Sequence, residues 1–255
     1  MTGLDKANQF MALHDRQRPL VLCNVWDVGS ARTVAQAGAK AVATSSWAVA
    51  AAQGYGDGEA LPFEALQATV RRIAAVADLP LSVDFERGYA EGLRDIAVNA
   101  TRLIEAGAIG VNFEDGTPGG QSVLDVSDQC QRIGAVRRGI DATGVPGFLN
   151  ARTDLFLAEP DISRHGRLVE DAIDRARAYA DAGADVFFAP GLKDRGLVRQ
   201  LCEGVALPVN VMVTDMSARH GDLVGLGVAR VSLGPAPYLA CMATLSQIAG
   251  ATADI

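Results

Sequence analysis

Four stretches of this 255-residue chain share one grammar: QAGAKAVAT (36–44), EAGAIGVNF (105–113), DAGADVFFA (181–189) and GLGVARVSL (225–233). In each, a helical pattern ends at Gly, a turn of one or two residues follows, and a short apolar run begins. These are helix-to-strand joints. A second set, ADLPLSVD (77–84), TGVPGFLN (143–150) and VALPVNVM (205–212), enters a strand through Pro, where a missing N–H costs least. With PLVLCNV (19–25), the total is eight short strands. Helical patterns lie between them at Ser30–Gly38, Phe63–Ala77, Leu93–Ala106, Val126–Ala142, Gly166–Ala182, Arg195–Glu203, Met216–Gly225 and Ala236–Ala249. Lys6–His14, with Phe10, Met11 and Leu13, predicts a short extra helix before the first strand.

Eight alternations of strand and helix predict an α/β chain folded as a parallel (β/α)8 TIM barrel, one domain spanning residues 1–255. The alternative is a doubly wound open sheet. Its dinucleotide fingerprint is absent, because Asn24-Val25-Trp26-Asp27-Val28-Gly29-Ser30 contains a single Gly after the first strand. Composition favours the barrel as well. A hydrophobic share of 49% with 5% aromatics describes buried parallel strands covered by Ala-rich helices.

The formal charge of −7 and the lack of any Lys or Arg run argue against nucleic acid as a partner. No stretch approaches the ~20 apolar residues that cross a membrane, and the N-terminus has no basic head before an apolar stretch, so a cytoplasmic protein is expected. Cys23, Cys130, Cys202 and Cys241 are widely spaced, which fits buried free thiols better than a zinc site or disulfides. His14, His165 and His220 show no metal-ligand spacing.

In a barrel of this kind, chemistry sits where strands end. Those ends are acidic here. The third strand closes on Asp84-Phe85-Glu86, and strand alternation predicts Asp84 and Glu86 on one face. The fourth closes on Asn112-Phe113-Glu114, and the loop after the second carries Asp57. Carboxylates converging on one mouth raise one another's pKa unless a cation neutralises them, and Mg²⁺ suits carboxylate and water ligands. Solvated loop acids are the alternative. The fifth strand places Asn150 and Arg152 on one face, where Arg152 can bind a carboxylate in bidentate geometry or pair with Asp154 or Glu114. Asn210, closing the seventh strand, is a candidate for an amide contact to a substrate carboxylate or for core hydrogen bonding.

NVWDVGSAR (24–32), ATSSWAVAAAQGYGDGE (43–59), VDFERGYAEG (83–92), GVNFEDGTPGG (110–120), LNARTD (149–154) and ARVSLGPAPY (229–238) together resemble the isocitrate lyase and phosphoenolpyruvate mutase superfamily, in its carboxyphosphonoenolpyruvate phosphonomutase-like branch. The resemblance implies a Mg²⁺ site, with Mn²⁺ as a substitute, in which Asp84 is the direct ligand and Asp57, Glu86 and Glu114 hold metal-bound waters. It implies that Ser45, Ser46 and Trp47 cradle the carboxylate of a 2-oxo acid, such as oxaloacetate or another pyruvate-containing acid, and that Arg152 binds its other end. It implies cleavage or decarboxylation of a C–C bond through a metal-stabilised enolate. A homo-oligomer, dimer or tetramer, is expected.

The sequence departs from the lyase pattern in the loop after Glu114. Where lyases of the superfamily resemble K-[KR]-C-G-H, this chain has Asp115-Gly116-Thr117-Pro118-Gly119-Gly120-Gln121-Ser122, without Cys, Lys or His. Ser122 falls about where that Cys would, and a hydroxyl is a far poorer proton donor near neutral pH. Arg152, Glu114 and Ser122 are the candidate catalytic residues. The expected activity is that of a lyase or decarboxylase, with a 2-oxo acid binding paralogue as the alternative and P–C bond chemistry on phosphonopyruvate third.

Overall fold

The computed structural model describes residues 1–215 and 223–253. Helix α1 (Gly3–Ala12) opens on a reciprocal cap, in which Thr2 Oγ1 accepts from the Asp5 amide and the Asp5 carboxylate accepts from the Thr2 amide. The chain then runs through β1 (Leu20–Leu22), β2 (Asn24–Val25), α2 (Val28–Gln36), β3 (Val42–Thr44), α3 (Ser46–Ala52), α4 (Phe63–Val76) and β4 (Leu81–Asp84). It continues as α5 (Leu93–Glu105), β5 (Gly110–Glu114), α6 (Val126–Asp141), β6 (Phe148–Arg152), α7 (Leu155–Ala158), a 3₁₀ segment (Ile162–Arg167) and α8 (Val169–Asp181). The last elements are β7 (Val186–Ala189), α9 (Arg195–Gly204), β8 (Val209–Met212), β9 (Val228–Ser232) and α10 (Ala236–Ala253).

The nine strand segments are hydrogen-bonded in the order β1-β9-β8-β7-β6-β5-β4-β3-β2, every pair parallel. Cys23 alone separates β1 from β2, so the two ends of that order are halves of one interrupted strand. β1 pairs with β9 through Leu20↔Arg230, and β2 pairs with β3 through Asn24↔Ala43. The sheet therefore closes as the expected parallel (β/α)8 barrel.

The repeated glycines explain why the joints were readable. Gly38, Gly107 and Gly183 follow α2, α5 and α8 with φ of 90°, 107° and 109°, the left-handed geometry that stops a helix. At Gly107 a Cβ would also lie 2.5 Å from that of Ala74, so the joint doubles as a helix-packing point. Short α3 and α7, both in loops after strands, carry no amphipathic period long enough to read from sequence. The expected helix Gly166–Ala182 divides into the 3₁₀ segment and α8. Of the expected helix Met216–Gly225, residues 216–222 lie outside the described residues, and Leu223–Gly225 form a turn.

The amino end of the barrel is stoppered by α1. Phe10, fully buried, meets Phe148 edge-on at 5.4 Å, while His14 stacks on Phe148 at 5.0 Å. Around them cluster Leu20, Ala41, Ile109 and Val186, all at the starts of strands. Among the described residues no helix is long and apolar enough to cross a membrane.

Candidate active site

A cavity of about 150 Å³ opens at the carboxyl ends of the strands, lined by Asn24, Asp84, Asn112, Arg152, Phe188, Met212 and Ser232 from the strands themselves and by Ser45 just past β3. Ser46, Trp47, Asp57, Gly234 and Pro235 complete it. Larger grooves of about 510 and 360 Å³ lie elsewhere on the surface, at Glu59–Phe63 and at Trp26–Gly29. Neither brings together carboxylates and an arginine at strand ends, so the smaller cavity is the candidate site.

Asp84 is its central acid. The Asp84 amide donates to Thr44 Oγ1 at 2.8 Å, and its Oδ2 accepts from the Ser46 amide at 3.0 Å. Oδ1 is buried without a hydrogen-bond partner. An orphaned carboxylate oxygen costs about 1–3 kcal/mol or more, and a cation with retained waters would relieve it. Asp57 shares the cavity; burial and the Asp84 charge push its carboxyl up, against a hydrogen bond from the Ser46 hydroxyl. Among the described residues, no three His, Cys, Asp or Glu side chains form a closed metal cage. Asp84 and Asp57, carboxylates with one orphaned oxygen between them, fit a hard divalent cation such as Mg²⁺.

Glu86 corrects the alternation argument. β4 ends at Asp84, and Glu86 adopts a left-handed backbone with φ of 48°, so period two does not carry across to it. Its carboxylate accepts from the Glu59 amide at 2.7 Å and from the Tyr89 hydroxyl at 2.6 Å, and it is absent from the cavity wall. Burial, with Asp84 and Asp57 adding to it, pushes Glu86 up to about 7.

Alternation does hold on β5 and β6, which remain extended through Glu114 and Arg152. Asn150 donates to Asn112 at 2.8 Å, and two register pairs higher Arg152 meets Glu114 at 2.9 Å. Arg152 also grips Asp154 through two bonds of 2.6 and 3.1 Å. Its Nε and Nη2 are thereby hydrogen-bonded to Asp154, and Nη1 is ion-paired with Glu114. Burial opposes its charge, but Glu114, Asp154 and Asp84 hold it firmly protonated. Burial raises Glu114 in turn; Asp154, Asp84 and Glu86 reinforce the rise against the pull of Arg152.

Beneath the cavity lies a buried polar layer that sequence reading missed. Arg230 on β9 is fully buried; its Nη2 donates to Ser82 Oγ at 3.2 Å and Asn112 Oδ1 at 3.3 Å, while Nε and Nη1 lack partners. Burial pushes it down to about 9, with Asp84 opposing. Its only sequence signal was a charge inside the apolar run ARVSL. Asn210, its register partner, belongs to this layer and does not line the cavity; both its amide atoms are buried without partners.

Ser122 is not brought to the site. The loop after β5 folds into a hairpin bridged at Gly116↔Val123, where the Ser122 and Thr117 hydroxyls bond at 2.8 Å in solvent. Of the histidines, His165 is buried and bonds the Glu159 carbonyl at 2.9 Å, His14 belongs to the stopper, and His220 lies outside the described residues. All four cysteines are free; Cys202 is buried, but Cys241 is exposed on α10, against the expectation of a uniformly buried set.

The same architecture recurs among known proteins. A Burkholderia cenocepacia protein provisionally named a phosphonomutase is 46% identical, with a TM-score of 0.93 over 96% of this chain and 99% of that one. An uncharacterized Mycobacterium tuberculosis protein is 32% identical over 96% of this chain and 89% of its own length. The 2-methylisocitrate lyase of Escherichia coli is 28% identical over 82% of this chain and 70% of its own. Further relatives are named oxaloacetate decarboxylases, and a phosphonopyruvate hydrolase solved with oxalate and Mg²⁺ shares the fold. A family model for phosphoenolpyruvate phosphomutase matches residues 10–253, and with it the chain belongs to that family, within the phosphoenolpyruvate mutase and isocitrate lyase superfamily of enzymes.

Proposed function

We propose that the protein is a Mg²⁺-dependent enzyme that cleaves or decarboxylates the C–C bond next to the pyruvate unit of a small 2-oxo acid, with oxaloacetate the leading substrate. The observation that carries this reading is the buried, unpartnered Oδ1 of Asp84 inside a cavity of about 150 Å³ that also holds Asp57 and Arg152. Such a volume suits a ligand of a few heavy atoms, below the roughly 300 Å³ at which drug-sized pockets begin. Asp84 would hold the metal directly and Asp57 through water; Mn²⁺ would substitute. Bound there, the ion supplies Lewis-acid stabilisation of negative charge on the substrate oxygen.

The protein's own residues divide the remaining work. Ser45, Ser46 and Trp47 face one carboxylate of the acid, and the Arg152 guanidinium receives the other. Glu114 acts by holding Arg152, and Glu86 by holding the loop of Asp57. Decarboxylation makes a light demand on proton transfer, because CO₂ leaves unprotonated and the carbanion can take its proton from water. Isocitrate-type cleavage needs a positioned acid, a contribution of about 10²–10⁴-fold that the Ser122 hairpin does not supply. That hairpin also favours a second reading, an oxo-acid binding protein with little turnover. Phosphonopyruvate chemistry ranks third, since the loop brings no basic group.

The proposal includes a homo-oligomer in the cytoplasm. Leu239, Met242, Leu245 and Ile248 are exposed on α10, an apolar surface that a second copy of the chain would cover, and four free cysteines suit a reducing compartment. The test is an assay of oxaloacetate, isocitrate and 2-methylisocitrate with Mg²⁺, on protein sized by light scattering. Expected are an oligomer, oxaloacetate decarboxylated, and negligible cleavage of the other two. Oxaloacetate bound without turnover selects the second reading. Isocitrate turnover of about 1–10³ s⁻¹ would overturn the account of the loop, and a monomer would remove the oligomer.

A further inference from the structure

Among the described residues, the non-glycine residues in the left-handed backbone region are Glu59 (φ 65°), Glu86 (φ 48°) and Tyr89 (φ 55°), and all belong to one hydrogen-bonded knot. The Glu59 amide donates to Glu86 Oε2 at 2.7 Å. In return Glu59 Oε1 accepts from the amides of Arg87 at 3.1 Å and Tyr89 at 2.7 Å, while Oε2 pairs with the Arg87 guanidinium at 2.9 Å. The Tyr89 hydroxyl closes the circuit on Glu86 at 2.6 Å. Each of the two glutamates thus binds the backbone or side chain of the segment that carries the other.

The two sides of the knot differ in how they are anchored. The segment after β4 is tied to the barrel's outer helices: Arg132 of α6 donates to the Arg87 carbonyl at 2.6 Å, and Asn99 of α5 donates to the Gly88 carbonyl at 3.0 Å. Gly88 is itself hemmed in, since a Cβ there would lie 3.2 Å from Ile96 and Phe113. The segment between α3 and α4 reaches that anchored partner through Glu59. Asp57 stands two residues earlier, separated from Glu59 by Gly58 in a left-handed turn.

We propose that Glu59 is the positioning residue of the site: its carboxylate latches the loop of Asp57 to the segment after β4, holding Asp57 against the cavity that Asp84 shares. The latch is a property of this chain's own groups; its consequence for metal binding rests on the function proposed above. Left-handed backbone at three side-chain-bearing positions is disfavoured locally and persists where surrounding bonds over-determine it. Here the bonds that do so lie beside the candidate site.

Hydrogen exchange and Mg²⁺ calorimetry on Glu59→Ala, Glu59→Gln and the control Glu64→Ala test it. Glu64 is a mostly exposed acid in the same outer groove. Glu59→Ala should speed exchange of the Glu59, Arg87 and Tyr89 amides and weaken Mg²⁺ binding by about tenfold or more, the scale at which partners of metal ligands act. Glu59→Gln keeps an Oε1 that accepts both amides but loses the pair with the Arg87 guanidinium, so it should restore protection of the Arg87 and Tyr89 amides and recover part of the affinity. Glu64→Ala should change neither. Unchanged amide exchange in Glu59→Ala overturns the latch, as does Glu59→Gln failing like the alanine variant or Glu64→Ala losing as much affinity. A wild-type protein that binds no Mg²⁺ refutes the reading of the cavity, while the exchange comparison still decides the latch.

Discussion

At the amino ends of the strands the barrel is closed by Phe10, His14 and Phe148 in mutual ring contact, with small and aliphatic side chains filling the space around them. At the carboxyl ends it carries Asp57 and Asp84 in one cavity, an unpartnered carboxylate oxygen, and a neighbouring knot of strained backbone. One end gains stability from burial and the other gives some up. The difference assigns them separate tasks: a stopper that holds the fold, and a site whose unmet interactions are reserved for a ligand.

The largest effect expected from this comparison is on the stopper. Phe10→Ala removes a fully buried ring and should cost about 3–5 kcal/mol in a denaturant titration, with Mg²⁺ affinity of the folded protein unchanged. A loss below about 1 kcal/mol would mean that α1 is only loosely seated.

Asp84→Ala should do the opposite. Mg²⁺ affinity should fall by at least ~100-fold, about 2.7 kcal/mol, while stability without metal changes by much less than in Phe10→Ala. Calorimetry showing unchanged affinity would remove Asp84 as the metal ligand.

The smallest expected effect concerns pH. Burial, with Arg230 adding to it, pushes His14 down to about 4, against a hydrogen bond to the Phe10 carbonyl. A depressed folded pKa contributes stability that is complete above the unfolded value near 6.5 and is lost as pH falls towards 4, because the unfolded chain takes up the proton first. The loss should come to about 2 kcal/mol. Urea midpoints at pH 7 and 4.5 should therefore drop further for wild type than for His14→Leu. Parallel drops would show that His14 binds its proton equally well in the folded and unfolded chain, and that the stopper is indifferent to pH.

How much of this was legible depends on the range of the interaction involved. The strands were readable because a left-handed Gly ends a helix through its own φ, as at Gly38, Gly107 and Gly183. Arg152 and Glu114 were readable as neighbours of the site because β5 and β6 remain extended to their last residues. The same parity rule misplaced Glu86, where the strand stops two residues early. Ser122 was chosen by its distance along the chain, and the hairpin turned it away. Glu59 had no local signature, since its bonds reach 27 to 30 residues ahead.

The sequence by itself determined the alternation of eight strands and helices, the family, and the acidic character of the strand ends, because these rest on local backbone preference and on residue type. Tertiary structure alone decided which acids share a cavity, which acids grip Arg152, and that Arg230 lies buried beneath them. The physical reason is that closing the barrel brings together residues from distant strands, such as Ser82 and Arg230, 148 positions apart in sequence. Burial, orphaned polar atoms and shifted charges exist only once that closure has excluded water.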